Sequence, residues 1–306
     1  MNVLLYLGVV LFWGSSWFAI KFQLGLIPES VSLAWRFFLA SAMLFIFCIA
    51  FQRKLKLSFF EFKHIAIQGF LLFSTNYFFI YLGINYVTTG LVAILFSTVT
   101  IFVIFNGFIF FKKPIRLNVF IGSIFGIIGL IFIFQVEFTK LVQPDNLIKG
   151  IVLILIGTYF ASLGMLYSGL NQERKIPFIQ TNAYGMFFGA SLMMLLAIFS
   201  GQDISIDANI PYLSSLAFLA FFGSVLGFGF YLKLLNNIGA DKASYVHIIT
   251  PVIALSLSTL FEGYVWGMQN LVGVVLVLIG NIIILSKKNL MHFCIMLFLN
   301  IPRGWW

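Results

Sequence analysis

The sequence predicts an all-α integral membrane protein of ten transmembrane helices, arranged as two inverted five-helix repeats, and three observations carry that prediction. First, 61% of the 306 residues are hydrophobic and only 9% are charged, with a mean hydropathy of +1.08. Soluble domains carry about a quarter charged residues, and no water-soluble fold covers so much apolar surface. Second, the chain matches itself without gaps from Asn85 to Ile133 at a shift of 151 residues, so that Asn85 meets Asn236, Gly122 meets Gly273 and Gly129 meets Gly280. Third, the charges of the matched loops change sign, as two copies inserted upside down to each other require.

A helix rises 1.5 Å per residue, so a membrane span needs roughly 20 mostly apolar residues. The first predicted segment, 3–21, lacks a basic leader and a small-residue cleavage site and reads as a retained helix, not a secretory signal. The second, 31–51, is apolar except for Arg36, and the third, 65–83, carries Asn76, Tyr77 and Tyr81. The fourth, 91–111, stops at Lys112-Lys113, and the fifth, 117–134, begins after Arg116. The sixth, 151–170, follows Lys149 and stops before Arg174-Lys175; the seventh is 178–200 and the eighth 212–235. The ninth, 243–261, contains His247 and Pro251, and the tenth, 268–286, stops at Lys287-Lys288. The loops are too short to fold separately. The organisation expected is a five-helix repeat over 3–140, a second over 146–288, and a short amphipathic or interfacial tail over 289–306.

The net charge of +9 has a topological cause. With the N-terminus inside, the even-numbered loops and the C-terminus hold Arg53, Lys54, Lys56, Lys63, Lys112, Lys113, Arg116, Arg174, Lys175, Lys233, Lys242, Lys287, Lys288 and Arg303, whereas the odd-numbered loops hold Lys140 and Lys149. This excess predicts a multi-pass protein of the cytoplasmic (inner) membrane with both termini cytoplasmic. The partners expected are the lipid bilayer and its anionic headgroups, not nucleic acid. Cys48 and Cys294 stand far apart in apolar surroundings and suggest neither a disulfide nor a thiolate metal site.

Five helices per half is an odd number, so the second copy enters from the opposite side. Lys112, Lys113 and Arg116 in the fourth loop accordingly face a ninth loop, 262–267, without a basic residue, and the uncharged third loop, 84–90, faces an eighth loop containing Lys242. Gly14-Ser15 meets Gly157-Thr158 at a shift of 143, which places a length change in the intervening loops. Small residues spaced by four let helices approach closely in lipid. Gly122/Gly126, Gly185/Gly189 and Gly223/Gly227 have this spacing; packing within the bundle is one reading and a homodimer face the other.

Function is sought where the bilayer penalises the residue. A central charge costs at least about 2.5–3.5 kcal/mol, so such groups face a cavity or a partner. Lys21 and Arg36 are the basic residues inside predicted helices, both in the outer third, with Glu29 and Glu262 at the same level. They read either as a cationic lining for an anionic or carboxylate-bearing substrate, or as snorkelling or paired structural groups. His247 lies one turn before Pro251, which has no amide for the His247 carbonyl and predicts a bend. Proton coupling through His247 and a neutral histidine bonded to backbone are both open. Trp13, Ser16 and Trp17, then Asn76, Tyr77 and Tyr81, then Tyr159 and Ser162, would line an apolar pocket with a few polar handles.

Trp13 to Lys21, then Arg36-Phe37 with Ala40, resembles the opening of EamA-type transporters of the drug/metabolite transporter superfamily; Ala243-Ser244, Pro251, Glu262, Gly273 and Gly280 are similar to that family's ninth and tenth helices. The resemblance spans about residues 3–286. It implies a ten-helix bundle that exports or exchanges small metabolites, often amino acids or related compounds, through a central cavity between the halves. Thr100 and Phe111 stand in the first-half places of Pro251 and Glu262, so a symmetric role for that proline or glutamate, as hinge or coupling group, is not expected. His247 replaces a residue that the family more commonly has small or apolar.

Other functions fit less well. An intramembrane enzyme needs a nucleophile with a base or a metal; His64, His247 and His292 lie in separate regions, and no phosphate loop or zinc-type spacing occurs, so neither a cofactor nor a metal is expected. A channel would show a filter, and a receptor or scaffold a soluble domain. Residues 291–301 are too short to span, and Trp305-Trp306 favour a tail lying on the inner surface.

Overall fold

Apolar runs bounded by charges give helices along the whole chain. The computed structural model describes residues 2–25, 27–112, 117–140, 144–238 and 246–285, and all regular structure among them is helical. In chain order the helices are α1 (Asn2–Lys21), α2 (Glu29–Ala50), α3 (Phe59–Phe70), α4 (Asn76–Ile84), α5 (Thr89–Ser97), α6 (Val99–Phe111) and α7 (Leu117–Lys140). There follow α8 (Pro144–Glu173), α9 (Phe178–Phe199), α10 (Ile210–Phe218), α11 (Gly227–Ile238), α12 (Val246–Phe261) and α13 (Met268–Leu285). Seven continuous described runs are long and apolar enough to cross a membrane, and Leu117–Ile133, Ile249–Phe261 and Met268–Ile284 are shorter apolar helices. The expected tail 289–306, the Ala243-Ser244 pair, and the basic residues Lys113, Arg116, Lys242, Lys287 and Lys288 lie outside the described residues.

Several helices outrun their predicted apolar cores, because polar residues make good helix ends. The third run begins at Phe59, not residue 65: the Ser58 hydroxyl accepts the Glu61 amide while Glu61 accepts the Ser58 amide, a reciprocal cap. The α8 helix begins at Pro144 with Asp145 in its first turn, not at residue 151. Proline's fixed φ and an acid beside the helix's positive end both suit that start. Lys149, placed by sequence in a loop, is therefore helical, its ammonium 4.8 Å from the Tyr86 ring centre. The fourth run is divided at Thr98, where the Ser97 and Thr98 hydroxyls each bond a carbonyl three residues back.

Two runs contain a wider turn. α3 passes into α4 through a π-helical turn, Leu71–Thr75, and α10 into α11 through another, Leu219–Leu226. The amides of Asn76 and Gly227 reach back five residues, to Leu71 and Phe222. A π turn holds one residue more than an α turn and so re-aims the side chains around it; here both turns border the central cavity.

Packing is set by small residues. A Cβ on Gly122 would stand 2.5 Å from the Gly280 carbonyl oxygen, and one on Gly129 2.5 Å from that of Gly273, so α7 and α13 meet backbone to backbone. Gly189 lies against Phe73 of the first π turn, and Gly227 against the Trp13 indole. The outward faces carry Leu4, Leu7 and Leu11 on α1, Phe105 and Phe108 on α6, Ile127 and Ile131 on α7, and Val275 and Ile282 on α13, all exposed. Serine, threonine, asparagine and glutamine are meanwhile buried inside. Polar groups inside and an apolar jacket outside suit lipid, since monomers in water rarely leave such a surface uncovered.

Candidate functional site

A central cavity lies between helices from residues 2–140 and helices from residues 144–285. The first part contributes Trp13, Ser16, Trp17, Arg36, Asn76 and Tyr77; the second contributes Met165, Gly223, Phe228, His247, Thr250 and Pro251. The mainly apolar lining with a few polar groups is of the kind that receives a small organic molecule.

Among the described residues Arg36 is the one on the cavity lining with a permanent charge, and it is 1% exposed. Its guanidinium lies 4.7 Å from the Tyr77 ring centre and 5.0 Å from that of Phe37. One nitrogen, Nη1, donates to the Tyr81 hydroxyl at 3.3 Å, and that hydroxyl donates to Gln23 Oε1 at 2.7 Å. Of the alternatives left open for Arg36, pairing with Glu29 or Glu262 is not seen among the described residues. The carboxylates at that level are taken elsewhere: Glu29 accepts from Asn85 at 3.0 Å and Glu262 pairs with Lys21 at 3.1 Å. Arg36 Nε and Asn76 Oδ1 are buried without a hydrogen-bond partner. Two aromatic faces stabilise a cation by about 0.5–2 kcal/mol each, less than an anion provides.

The aromatic wall is built by α1. Trp13 donates its indole N–H to the Gly223 carbonyl at 3.2 Å, an acceptor in the second π turn. The His247 ring stacks on Trp13 at 5.6 Å and meets Tyr231 edge-on at 5.6 Å. Trp17 packs on Phe96 at 5.1 Å. Sequence had not singled out Phe96, Ser97, Phe228 or Thr250. The Ser97-Thr98 pair interrupting an apolar run was the available signal for the first of these segments.

Lys21, Tyr81, Tyr159, Ser162 and Glu262 do not line this cavity. Tyr81 touches it only through Arg36. Ser162 accepts from Asn106 at 2.8 Å and donates to the Tyr159 carbonyl, while the Tyr159 ring packs on Phe102, so both stand in the α6–α8 contact. Lys21 and Glu262 border a second cavity with Asn85, Thr88 and Leu147. There Glu262, 3% exposed, accepts the Thr89 amide at 3.0 Å, the Thr89 hydroxyl at 2.9 Å and the Ser258 hydroxyl at 2.7 Å. It therefore caps the start of α5 and ties α12 to α5 and α1. Pro251 is buried on the cavity wall inside α12. The matching level of the fourth run, without a proline, is broken at Thr98, two residues from Thr100.

Comparison with known proteins gives a consistent picture. The EamA-like transporter family matches residues 1–135 and 148–286. The chain is 29% identical, over 95% of its length and 96% of the other's, to an uncharacterized transporter in the trpA 3' region of Buchnera aphidicola subsp. Schlechtendalia chinensis. It is 26% identical to the uncharacterized transporter YyaM of Bacillus subtilis, covering 90% of this chain and 91% of that one. It is 24% identical to protein PagO of Salmonella typhimurium, covering 94% and 93%. One solved crystal structure superposes with a TM-score of 0.69 at 13% identity, over 96% of this chain and 98% of the other, a likeness of fold.

Proposed function

The chain belongs to the EamA-like transporter family and is a multi-pass membrane transporter; from that premise we propose that it is a secondary transporter exporting or exchanging a small metabolite, an amino acid or related compound, by alternating access. The observation that carries the reading is the central cavity walled by both the N-terminal and the C-terminal part of the chain. A site at such a seam is exposed to one side or the other by rocking one part against its partner. The expected membrane is the cytoplasmic one, with both termini inside and the Lys21 end outside.

Ten spans in two inverted repeats, 3–140 and 146–288, are part of this reading, and helix pairing supports them. Contacts of α2 with α9 and of α7 with α13 map onto themselves when the repeats are exchanged; those of α1 with α12 map onto those of α6 with α8. The glycines behave likewise. Gly122 matches Gly273 and Gly129 matches Gly280 in sequence, while in space Gly122 meets Gly280 and Gly129 meets Gly273. Reciprocal contacts of this kind are what a two-fold axis produces. The π turns, at Leu71–Thr75 and Leu219–Leu226, also fall at equivalent places.

Within this scheme Trp13, Ser16, Trp17, Arg36, Asn76, Tyr77 and His247 contact substrate. Lys21 and Glu262 fasten the outer end, and Pro251 is the hinge. Proton coupling through His247 belongs to the same scheme. The test is uptake and release of metabolite pools by proteoliposomes: saturable flux is expected. Its absence for every pool overturns the reading in favour of an intramembrane enzyme or a receptor or scaffold.

A further inference from the structure

We propose that the central cavity selects a net-monoanionic carboxylate with an apolar body and a neutral hydrogen-bond donor beside the carboxylate, in preference to the zwitterionic amino acid of the same shape. The inference rests on the transport reading for the cavity's purpose but not for its chemistry. Three observations carry it.

The first is the charge inventory. Among the described lining residues Arg36 supplies the one permanent charge, and no aspartate or glutamate reaches the wall. The neighbouring glutamates are held by Asn85 and Lys21. A monoanion brings the site to neutrality, whereas a zwitterion, once its carboxylate meets Arg36, leaves its ammonium as one uncompensated positive charge in a low-dielectric interior. A cationic substrate leaves two positive charges and no negative one.

The second is unspent hydrogen-bonding capacity. Among the described residues Arg36 makes one hydrogen bond, to a neutral hydroxyl, and Nε is buried without a partner. A guanidinium fork matches a carboxylate with two parallel bonds. Asn76, 1% exposed, spends its amide N–H on the Leu72 carbonyl and leaves Oδ1 without a donor. That oxygen asks the ligand for an O–H or N–H, and the charge count of the lining makes a neutral donor the match.

The third is room. A Cβ on Gly223 would stand 3.5 Å from Arg36 Nη2 and 2.8 Å from the Ser16 hydroxyl, so the glycine keeps the approach to the guanidinium clear. Trp17, Phe96 and Phe228 provide an apolar wall for the remainder of the ligand. Together these describe a 2-hydroxy acid, or a related acid with a neutral donor, carrying an aryl or branched side chain.

The experiment uses purified full-length protein in detergent or nanodiscs and measures binding by calorimetry with four near-isosteric probes. They are 3-phenyllactate, phenylalanine, 3-phenyllactamide and 3-phenylpropionate, with both enantiomers of the chiral ones. Phenyllactate is expected to bind tightest. Phenylalanine and the amide are each expected to be at least about tenfold weaker, and phenylpropionate weaker by about three- to tenfold. Arg36→Lys is expected to keep the preference for the anion and Arg36→Gln to abolish it; a purely structural Arg36 would change thermal stability and leave the order of the probes intact. Should Arg36→Gln fail to fold, the wild-type comparison of phenyllactate with phenylalanine still decides, and Asn76→Leu is expected to erase the advantage of phenyllactate over phenylpropionate. Phenylalanine binding as tightly as phenyllactate, no binding of phenyllactate at millimolar concentration, or an unchanged probe order in Arg36→Gln overturns the proposal. Saturable flux of another metabolite without phenyllactate binding would sink this ligand class and spare transport. Phenyllactate binding without flux of any metabolite would do the reverse.

Discussion

At the scale of single residues, Glu262 shows how a charge read as a coupling group also holds architecture. Its carboxylate satisfies two groups of Thr89 and the hydroxyl of Ser258, all buried, and then meets half-exposed Lys21. Glu262→Ala strands three buried donors, each costing about 1–3 kcal/mol when unmet and not fully additive. Lys21→Ala removes a partner that is 52% exposed, a loss within about 1 kcal/mol. Thermal unfolding in one detergent is therefore expected to rank Glu262→Ala well below Lys21→Ala, with Glu262→Gln between wild type and Glu262→Ala. The opposite ranking would mean that the ion pair and not the helix cap holds this end. His247 meets Trp13 and Tyr231 on the cavity wall. If it carries a coupling proton, His247→Ala flattens the pH dependence of flux; an unchanged pH profile removes it from the mechanism.

Among elements, the α7–α13 contact gives the sharpest expectation. A Cβ on Gly280 would press on Gly122 O at 2.5 Å and Gly126 N at 2.8 Å, both backbone atoms unable to rotate away. Gly280→Ala is expected to destabilise by about 1–3 kcal/mol through overpacking. Gly229→Ala, with nothing within 4 Å of its Cβ, is expected to be neutral or slightly stabilising, because alanine favours helix over glycine. Thermal melts of the two variants side by side check this. Equal melting temperatures would remove close backbone approach as the reason for glycine here. The glycine landmarks were legible as a sequence echo, yet their partners were not. The self-match relates Gly122 to Gly273, whereas packing joins Gly122 to Gly280. The π turns left no sequence mark, since one extra residue in a uniformly apolar run leaves its hydrophobicity unchanged.

For the whole molecule, alternating access requires that the Lys21 end open and close. With Cys48 and Cys294 replaced by serine, a thiol cross-link between Leu24→Cys and Leu147→Cys, which border the second cavity and leave the Glu262 cap intact, is expected to stop flux, and a cleavable linker's reduction to restore it. Flux that continues through the cross-linked protein excludes rocking at this end. Because Leu24 and Leu147 lie outside the central cavity, the same cross-link is expected to leave phenyllactate affinity within a few-fold of the uncross-linked protein, provided the cavity stays open at the opposite end.

The sequence by itself determined the solvent, the helices and the family. Apolar length, sparse charge and ordered motifs are local properties, and a bilayer turns them almost directly into helices. It also placed Trp13, Ser16, Trp17, Arg36, Asn76, Tyr77 and His247 on candidate helices. Only the tertiary structure decided which of the marked residues share a cavity: it brought these seven together and set Tyr159 and Ser162 in the α6–α8 contact and Lys21 with Glu262 at one end. It also decided that Arg36 keeps company with aromatic rings and a hydroxyl instead of a carboxylate. The physical reason is that partner choice depends on helix rotation and depth. In a chain this uniformly apolar, those are fixed by close approach at small residues and by re-aimed π turns, which no count of hydrophobic residues records.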